Sequence, residues 1–379
     1  MKNMKNMKNM NFKALKIVIV STYPKEGSQN IGDQLITNAL IAAIQDVNPN
    51  TSFEIVFRAD DWREIKNKIL NADHVFFACL AIRKRMDKIE YPWLSQVIDS
   101  EVPFSCIAAG TDLPVNMDEN IYADITESTQ SLLTQINNKA VSFTTRGVLS
   151  QFLCETLGLN QSKFNGDIAF YNTKYSKNKF VSDQDIKNIV ISDPHRPKAY
   201  LNSIKVLVGG LKILFPNATI VLAQHGINPI VEEYCKAENI ESIRIYEKPN
   251  SGLDIYDNAD LHVGYRVHAH VSALTRRKYS YLLEQDGRGC DYGLTINKKI
   301  SIPNYIDSPN ISIPNDFLQK VYTRVRKSPV ASISPAYQIL ALIKADKSMG
   351  FNKFVGLEKQ IESFNNASVL SIKKSLSFN

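Results

Sequence analysis

The 379-residue chain has no run approaching the ~20 consecutive apolar residues that a spanning helix needs, which excludes a helical membrane protein. It has no CxxC pair. Cys79, Cys106, Cys154, Cys235 and Cys290 lie far apart, an odd and scattered set that reads as reduced, buried thiols of a cytoplasmic protein. A zinc site or a disulfide framework does not fit that spacing. There is no RNP-like aromatic stretch, zinc finger or long basic block, so nucleic-acid partners are disfavoured. The opening MKNMKNMKNM lacks the apolar core of a secretory signal, and its repeat predicts a disordered leader over 1–11. Charged residues make up 22% and hydrophobic residues 44%, the balance of an ordinary globular chain, so wholesale disorder is excluded. Lys and Arg exceed Asp and Glu by 45 to 38, a mild excess that suits an anionic ligand or an anionic membrane surface.

What is present is alternation. Leu15-Lys16-Ile17-Val18-Ile19-Val20 is a β-branched run bounded by polar residues, which predicts a buried parallel strand. After a polar loop, Gln34 to Val47 carries Leu35, Ile36, Ala39, Leu40, Ala43 and Ile44 at helical spacing, stopped by Pro49. Further strands are predicted at 53–57, 74–78, 104–109 and 141–144, and a helix at 62–70. Over 173–186 the pattern loosens into Asn, Lys and Ser, which predicts a linker. Beyond it, strands at 189–191, 219–222, 243–246, 261–264 and 279–283 alternate with helices at 200–215, 230–239 and 267–277. This predicts an α/β fold of two doubly wound, Rossmann-like domains facing a cleft, over 12–172 and 187–300. A helical tail is expected over 301–379, with a basic excess. Its helices either pack back on the core or present a basic amphipathic face to anionic lipid, a peripheral position on the inner membrane surface.

Six stretches carry residues suited to chemistry. Asn30-Ile31-Gly32-Asp33 separates the first strand from its helix. Gly32 allows close backbone approach, and Asp33 is either a proton acceptor for a hydroxyl or a helix N-cap. Thr144-Thr145-Arg146-Gly147 places Arg146 at a strand end. Asn165-Gly166-Asp167 is a turn and alone says little. Asp193-Pro194-His195-Arg196-Pro197 holds His195 and Arg196 in a stiff loop, and arginine's planar fork suits phosphate or carboxylate. Asp260 to His270 ends a strand at Gly264 and starts a helix with Arg266 and His268, better read as an anion site with a proton donor than as a metal site. Glu284-Gln285-Asp286-Gly287-Arg288 is a polar loop after a strand. Asp60-Asp61 looks like a metal-binding acidic pair, but it opens a helix, where an acidic residue favours the N-terminus. No metal ligands are assigned.

In this order these residues resemble the polysaccharide pyruvyl transferase family. The family's marks fall at Asn30-Ile31-Gly32-Asp33, Arg146 with Ser150, Gly166-Asp167, Ala259-Asp260 with Arg266 and His268, and Asp286 with Arg288, over about 12–300. Ala269 stands where the family usually has glycine, and His270 is additional. The resemblance implies a GT-B-like pair of domains. It also implies transfer of the enolpyruvyl unit of phosphoenolpyruvate, as co-substrate, to a glycan or lipid-linked glycan, giving a ketal and phosphate without a cofactor. It implies His268 as acid and Asp33 as base. The donor's negative charge makes Arg266, Arg288, Arg146, Arg196 and His195 its candidate binding residues, although the 193–197 loop is not one of the family's marks, and Asn30, Gly32, Asp260, Glu284 and Asp286 would line the acceptor side or its loops. The competing readings are a GT-B glycosyltransferase using a nucleotide sugar and a sugar- or anion-binding protein without turnover.

Overall fold

A computed structural model describes residues 13–24, 31–112, 125–249, 251–306 and 329–377; the expected leader, Asn30 and residues 307–328 of the expected tail lie outside the described residues. They form two units. The described residues of 13–176, together with 359–377, make the first, and those of 177–358 make the second.

The first unit holds β1 (Leu15–Ser21), β2 (Thr51–Phe57), β3 (His74–Ala78), β4 (Ala81–Ile82), β5 (Phe104–Thr111), β6 (Ser142–Thr145) and β7 (Lys163–Phe164). They run parallel in the order β2-β1-β3-β5-β6-β7, with β4 beside β5. The crossovers carry α1 (Ile31–Val47), α2 (Trp62–Leu70), α3 (Leu94–Asp99), α4 (Glu127–Lys139) and α5 (Val148–Thr156). β3 and β5 are buried along their whole length, as strands covered on both faces must be. Phe77 packs on Tyr91, Trp93 and Phe104, and full burial of such a side chain contributes roughly 1.5–3 kcal/mol. The acidic pair is structural. Asp61 caps α2 by accepting from the Arg63 N–H at 2.8 Å, and Asp60 accepts from the Phe57 N–H at 2.9 Å. α1 starts at Ile31, three residues before the apolar spacing predicts, so Gly32 and Asp33 belong to its first turn and not to a loop.

The second unit is a second parallel sheet of β8 (Asn188–Ser192), β9 (Thr219–Gln224), β10 (Glu241–Arg244), β11 (Leu261–Gly264), β12 (Tyr279–Glu284) and β13 (Ser301–Pro303), in the order β10-β9-β8-β11-β12-β13. Its helices are α6 (Pro197–Leu214), α7 (Pro229–Ala237), α8 (Val267–Thr275), α9 (Gly287–Thr295) and α10 (Ser334–Ser348). Prolines open α6, α7 and α10, where a missing N–H costs nothing. α10 lies close on α6: a Cβ on Gly210 would stand 2.2 Å from Leu340 Cδ1.

Both units are therefore doubly wound α/β sheets, as the alternation predicts. The expected linker is anchored despite its polar composition. Tyr175, Phe180 and Ile186 are buried, Phe180 lies 5.7 Å from Phe354 between ring centroids, and the Tyr279 hydroxyl donates to the Val181 carbonyl. The last helix, α11 (Leu357–Leu376), belongs from Lys359 onward to the first unit. Ser375 Oγ lies 2.8 Å from Ser105 Oγ and 3.2 Å from Ser142 Oγ, and Asn165 Nδ2 donates to Ser371 Oγ at 2.8 Å. Phe364 packs between Phe164 and Phe170 above Gly166, whose φ of +84° and lack of a Cβ both suit the contact. No helix of the described residues is long and apolar enough to cross a membrane.

Candidate active site

The order of the second sheet reverses between β8 and β11. In doubly wound sheets the ligand crevice opens outside the carboxyl ends of the strands at such a point. Asp193 leaves β8 there and Arg266 leaves β11. The two strands approach so closely that a Cβ on Gly264 would stand 2.3 Å from Ser192 Oγ and 2.6 Å from the Ser192 carbonyl oxygen. Ser192 Oγ in turn accepts from the Tyr265 and Arg266 N–H groups at 3.1 and 3.2 Å, which fixes the turn into α8.

Asp193 is fully buried, and its carboxylate joins three strand ends. Oδ1 accepts from Arg266 Nε and from the His225 N–H, both at 3.0 Å, the latter just after β9. Oδ2 accepts from Arg266 Nη2 at 3.1 Å and from Asn228 Nδ2 at 2.5 Å. The Nε–Nη2 edge of Arg266 is thus committed to Asp193, while Nη1 faces His195 Nδ1 at 3.3 Å. Asp193 and His225 were not among the predicted site residues. Asp193 stood in view only as the first residue of a stiff loop.

Arg196 is exposed and His195 keeps part of its surface open to solvent, and the His195 N–H donates to Gln285 Oε1 at 2.9 Å. Partial burial and the guanidiniums of Arg266 and Arg288 push the His195 pKa down; Arg196 acts the same way and Asp286 opposes. Arg288 folds back onto Asp286, with Nη2 2.5 Å from Oδ2. Asp286 also caps α9 through the Arg288 N–H, and although desolvation pulls upward, these contacts hold its carboxyl at about 2. The site therefore gathers Arg266, Arg288, Arg196, His195 and Asp286. Neither α6 nor α8 has a side-chain cap among the described residues, and α6 opens on Pro197, which carries no N–H.

His268 stands in the first turn of α8, two residues after Arg266, and is nine-tenths buried. The other two histidines of this stretch turn to the interior. His262 and His270 both bond Ser280 Oγ at 2.7 Å, and His262 Nε2 reaches Ser192 Oγ at 3.0 Å. Burial lowers both pKa values, that of His270 to about 3, so these rings are neutral packing groups. Among the described residues no three His, Cys, Asp or Glu side chains are grouped to hold a metal ion.

Two predicted residues of the second unit are not in its crevice. Asp260 immediately precedes β11, at the opposite end of that strand from Arg266. It ties down the entry to the sheet, accepting from the Lys187 and Asn188 N–H groups at 2.9 Å and from Gln184 Nε2 at 3.1 Å. Glu284 is buried under α9. Its Oε1 accepts from Ser301 Oγ at 2.6 Å and its Oε2 from the Tyr305 hydroxyl at 2.5 Å.

The first sheet reverses between β1 and β3, and a second cluster sits at its carboxyl edge. Asp33, in the first turn of α1, helps raise the pKa of Tyr23, after burial as the larger cause. Arg146, just after β6, is buried. Its Nη2 donates to the Thr111 carbonyl at 2.9 Å, and Nη1 lies 3.6 Å from Cys79 Sγ. It passes over Gly110, where a Cβ would stand 2.3 Å from Nε. Burial pushes the Cys79 thiol up to about 11 although Arg146 pulls the other way, which leaves an unreactive thiol. Asp167 is buried, caps the turn at Ile168–Phe170 and faces Cys79. Cys79 was a further residue not foreseen here; its location follows only from the pairing of β3 with β5.

Residues 30–286 match the family model of the polysaccharide pyruvyl transferases. No curated protein matches the chain. Among solved structures, UDP-GlcNAc 2-epimerase from Neisseria meningitidis bound to UDP-GlcNAc is similar with a TM-score of 0.49 at 11% identity, covering 96% of this chain and 100% of that one. A putative UDP-N-acetylglucosamine 2-epimerase from Listeria monocytogenes gives 0.46 at 11% identity, with 73% and 81% covered. E. coli heptosyltransferase WaaC with ADP-2-deoxy-2-fluoro heptose gives 0.38 at 11% identity, with 82% and 99% covered.

Proposed function

Because the chain belongs to the polysaccharide pyruvyl transferase family, we propose that its donor is phosphoenolpyruvate and its product a cyclic pyruvate ketal on a cell-surface polysaccharide or a lipid-linked precursor. The observation that carries the donor is the guanidinium cluster of Arg266, Arg288 and Arg196 around His195, at the crevice of the second sheet. Phosphoenolpyruvate presents a phosphate and a carboxylate close together, and fixed guanidiniums suit both groups.

The chemistry needs a proton on the methylene carbon and a stabilised centre at the neighbouring carbon. One sugar hydroxyl adds there, a second displaces phosphate, and the hydroxyl protons go to a base and to the departing phosphate. His268, beside the Arg266 anchor, is assigned the methylene proton, and imidazole is suited to that work near pH 7. Asp33 is assigned a hydroxyl proton. Asp193 keeps Arg266 in place, and Arg146 orders the strand ends of the first sheet by way of Thr111.

The test is incubation with phosphoenolpyruvate and candidate glycans, following phosphate release and the mass of the sugar. Release of phosphate together with a ketal on the sugar is expected. Sugar transfer from a nucleotide sugar, with no ketal from phosphoenolpyruvate, would replace this reading by a glycosyltransferase one.

A further inference from the structure

The charges around the crevice of the second sheet do not balance a divalent anion. Arg266 is matched by the buried Asp193 and Arg288 by Asp286, so three guanidiniums against two carboxylates leave one net positive charge, that of the exposed Arg196. A phosphate ester carries up to two negative charges on its phosphate near pH 7. One more cation is needed; His268 gives its proton to the methylene carbon, and the imidazole that Arg266 Nη1 faces, at 3.3 Å, is that of His195.

We infer that His195 supplies that charge: a divalent oxyanion seated among Arg266, Arg288 and Arg196 draws a proton from solvent onto the His195 ring. The inference rests on the donor reading above and assigns this loop its part in it. Without an anion, Arg266 Nη1 points its N–H toward His195 Nδ1 at 3.3 Å, which suits a neutral ring with its lone pair on Nδ1. An oxyanion gives Nη1 a stronger acceptor and frees Nδ1 to take a proton. The ring is positioned for this. Pro194 and Pro197 flank the loop, and Gln285 holds the His195 N–H. The charged groups around the ring are Arg266 from the start of α8, Arg288 and Asp286 from the start of α9, and Arg196 from its own loop, with Asp193 behind Arg266. Partial burial, and then Arg266 and Arg288, push the pKa of the ring down. An added dianion reverses it. The site thereby prefers divalent to monovalent oxyanions, and it binds them more tightly as pH falls.

The experiment uses the full chain labelled at histidine Cε1, with the pH titration of His195 followed by NMR in the absence and presence of sulfate. Sulfate is divalent and does not itself change protonation in this range, and His195→Gln identifies the resonance. The expected result is a titration midpoint raised by about one pH unit or more with sulfate. Sulfate affinity should also fall with rising pH between the sulfate-free and sulfate-bound midpoints, about tenfold in all for a one-unit shift, a dependence lost in His195→Gln. A midpoint that stays put while sulfate perturbs the resonance overturns the inference, and so does a resonance that sulfate never perturbs. Sulfate is neither donor nor product of pyruvyl transfer. A protein that shows the shift but turns over no phosphoenolpyruvate keeps the proton-coupled site and loses the donor reading. A protein that turns it over with a stationary midpoint loses this inference alone.

Discussion

Asp193 and Arg266 lie 73 residues apart in the chain, yet the buried carboxylate of the first takes Nε and Nη2 of the second at 3.0 and 3.1 Å. A side-on pair of this kind leaves one edge of the guanidinium for a ligand and fixes where that edge points. It also makes each partner dependent on the other.

Arg266→Ala should therefore damage the fold as well as binding. It leaves Asp193 charged and buried, a defect that costs about 3–5 kcal/mol. Urea melts should show that loss, and adding Asp193→Asn to Arg266→Ala should recover part of it. A double variant as unstable as the sum of the two singles would mean that the pair is not coupled.

His268→Ala removes a proposed proton donor and leaves the Asp193–Arg266 pair in place. Turnover should fall about a hundredfold or more, with phosphoenolpyruvate affinity nearly unchanged. Turnover close to that of the parent protein would reduce His268 to an ordinary residue of α8.

Two glycines should respond unequally to alanine. At Gly110 the new methyl meets the Arg146 side chain, which has some freedom to shift, and the cost should be about 1–3 kcal/mol. At Gly264 it meets Ser192 backbone at 2.6 and 2.7 Å, which cannot yield without separating β8 from β11. Calorimetry should show the larger fall in Tm for Gly264→Ala, with loss of sulfate or donor binding.

Stability should decline with acid through the buried histidines. Burial holds His74 and His270 at about 3, against about 6.5 for an unfolded histidine. Between those values the unfolded chain binds more protons, so stability is full above about pH 6.5 and is lost as pH falls toward 3, by up to about 1.4 kcal/mol per pH unit for each ring. Denaturant melts at pH 7, 6 and 5 should show the slope, and His270→Gln should make it shallower. An unchanged slope in that variant would show that His270 is not neutral in the fold.

Much of the fold was legible because buried parallel strands write themselves as short apolar runs. The runs at 74–78 and 261–264 coincide with β3 and β11. The candidate site was legible only where neighbours in sequence are neighbours in space, as with Arg266 and His268 on one helix start. The bond from Asp193 to Arg266 depends on β11 lying beside β8, with Gly264 opposite Ser192, and no spacing along the chain states that register. Asp260 misled for the opposite reason. A motif that holds both Asp260 and Arg266 spans a whole strand, so its two ends face away from one another. The sequence places Glu284 in a loop because β12 runs one residue further than its apolar stretch, and its carboxylate is satisfied by Ser301 and Tyr305, both of which follow the next helix.

The return of α11 to the first unit has a consequence in time. On the ribosome the strands of the first sheet emerge early, while the helix that closes them follows only after residues 177–358 have been made. At about 5–20 residues per second that is a wait of roughly ten to forty seconds. For that interval Ser105, Ser142 and Asn165 meet water instead of Ser371 and Ser375. These hydroxyls and the amide are hydrated while they wait, whereas Phe164 and Phe170 stay without Phe364 for the same interval. The serines at this seam thus suit a nascent chain whose first unit is completed last.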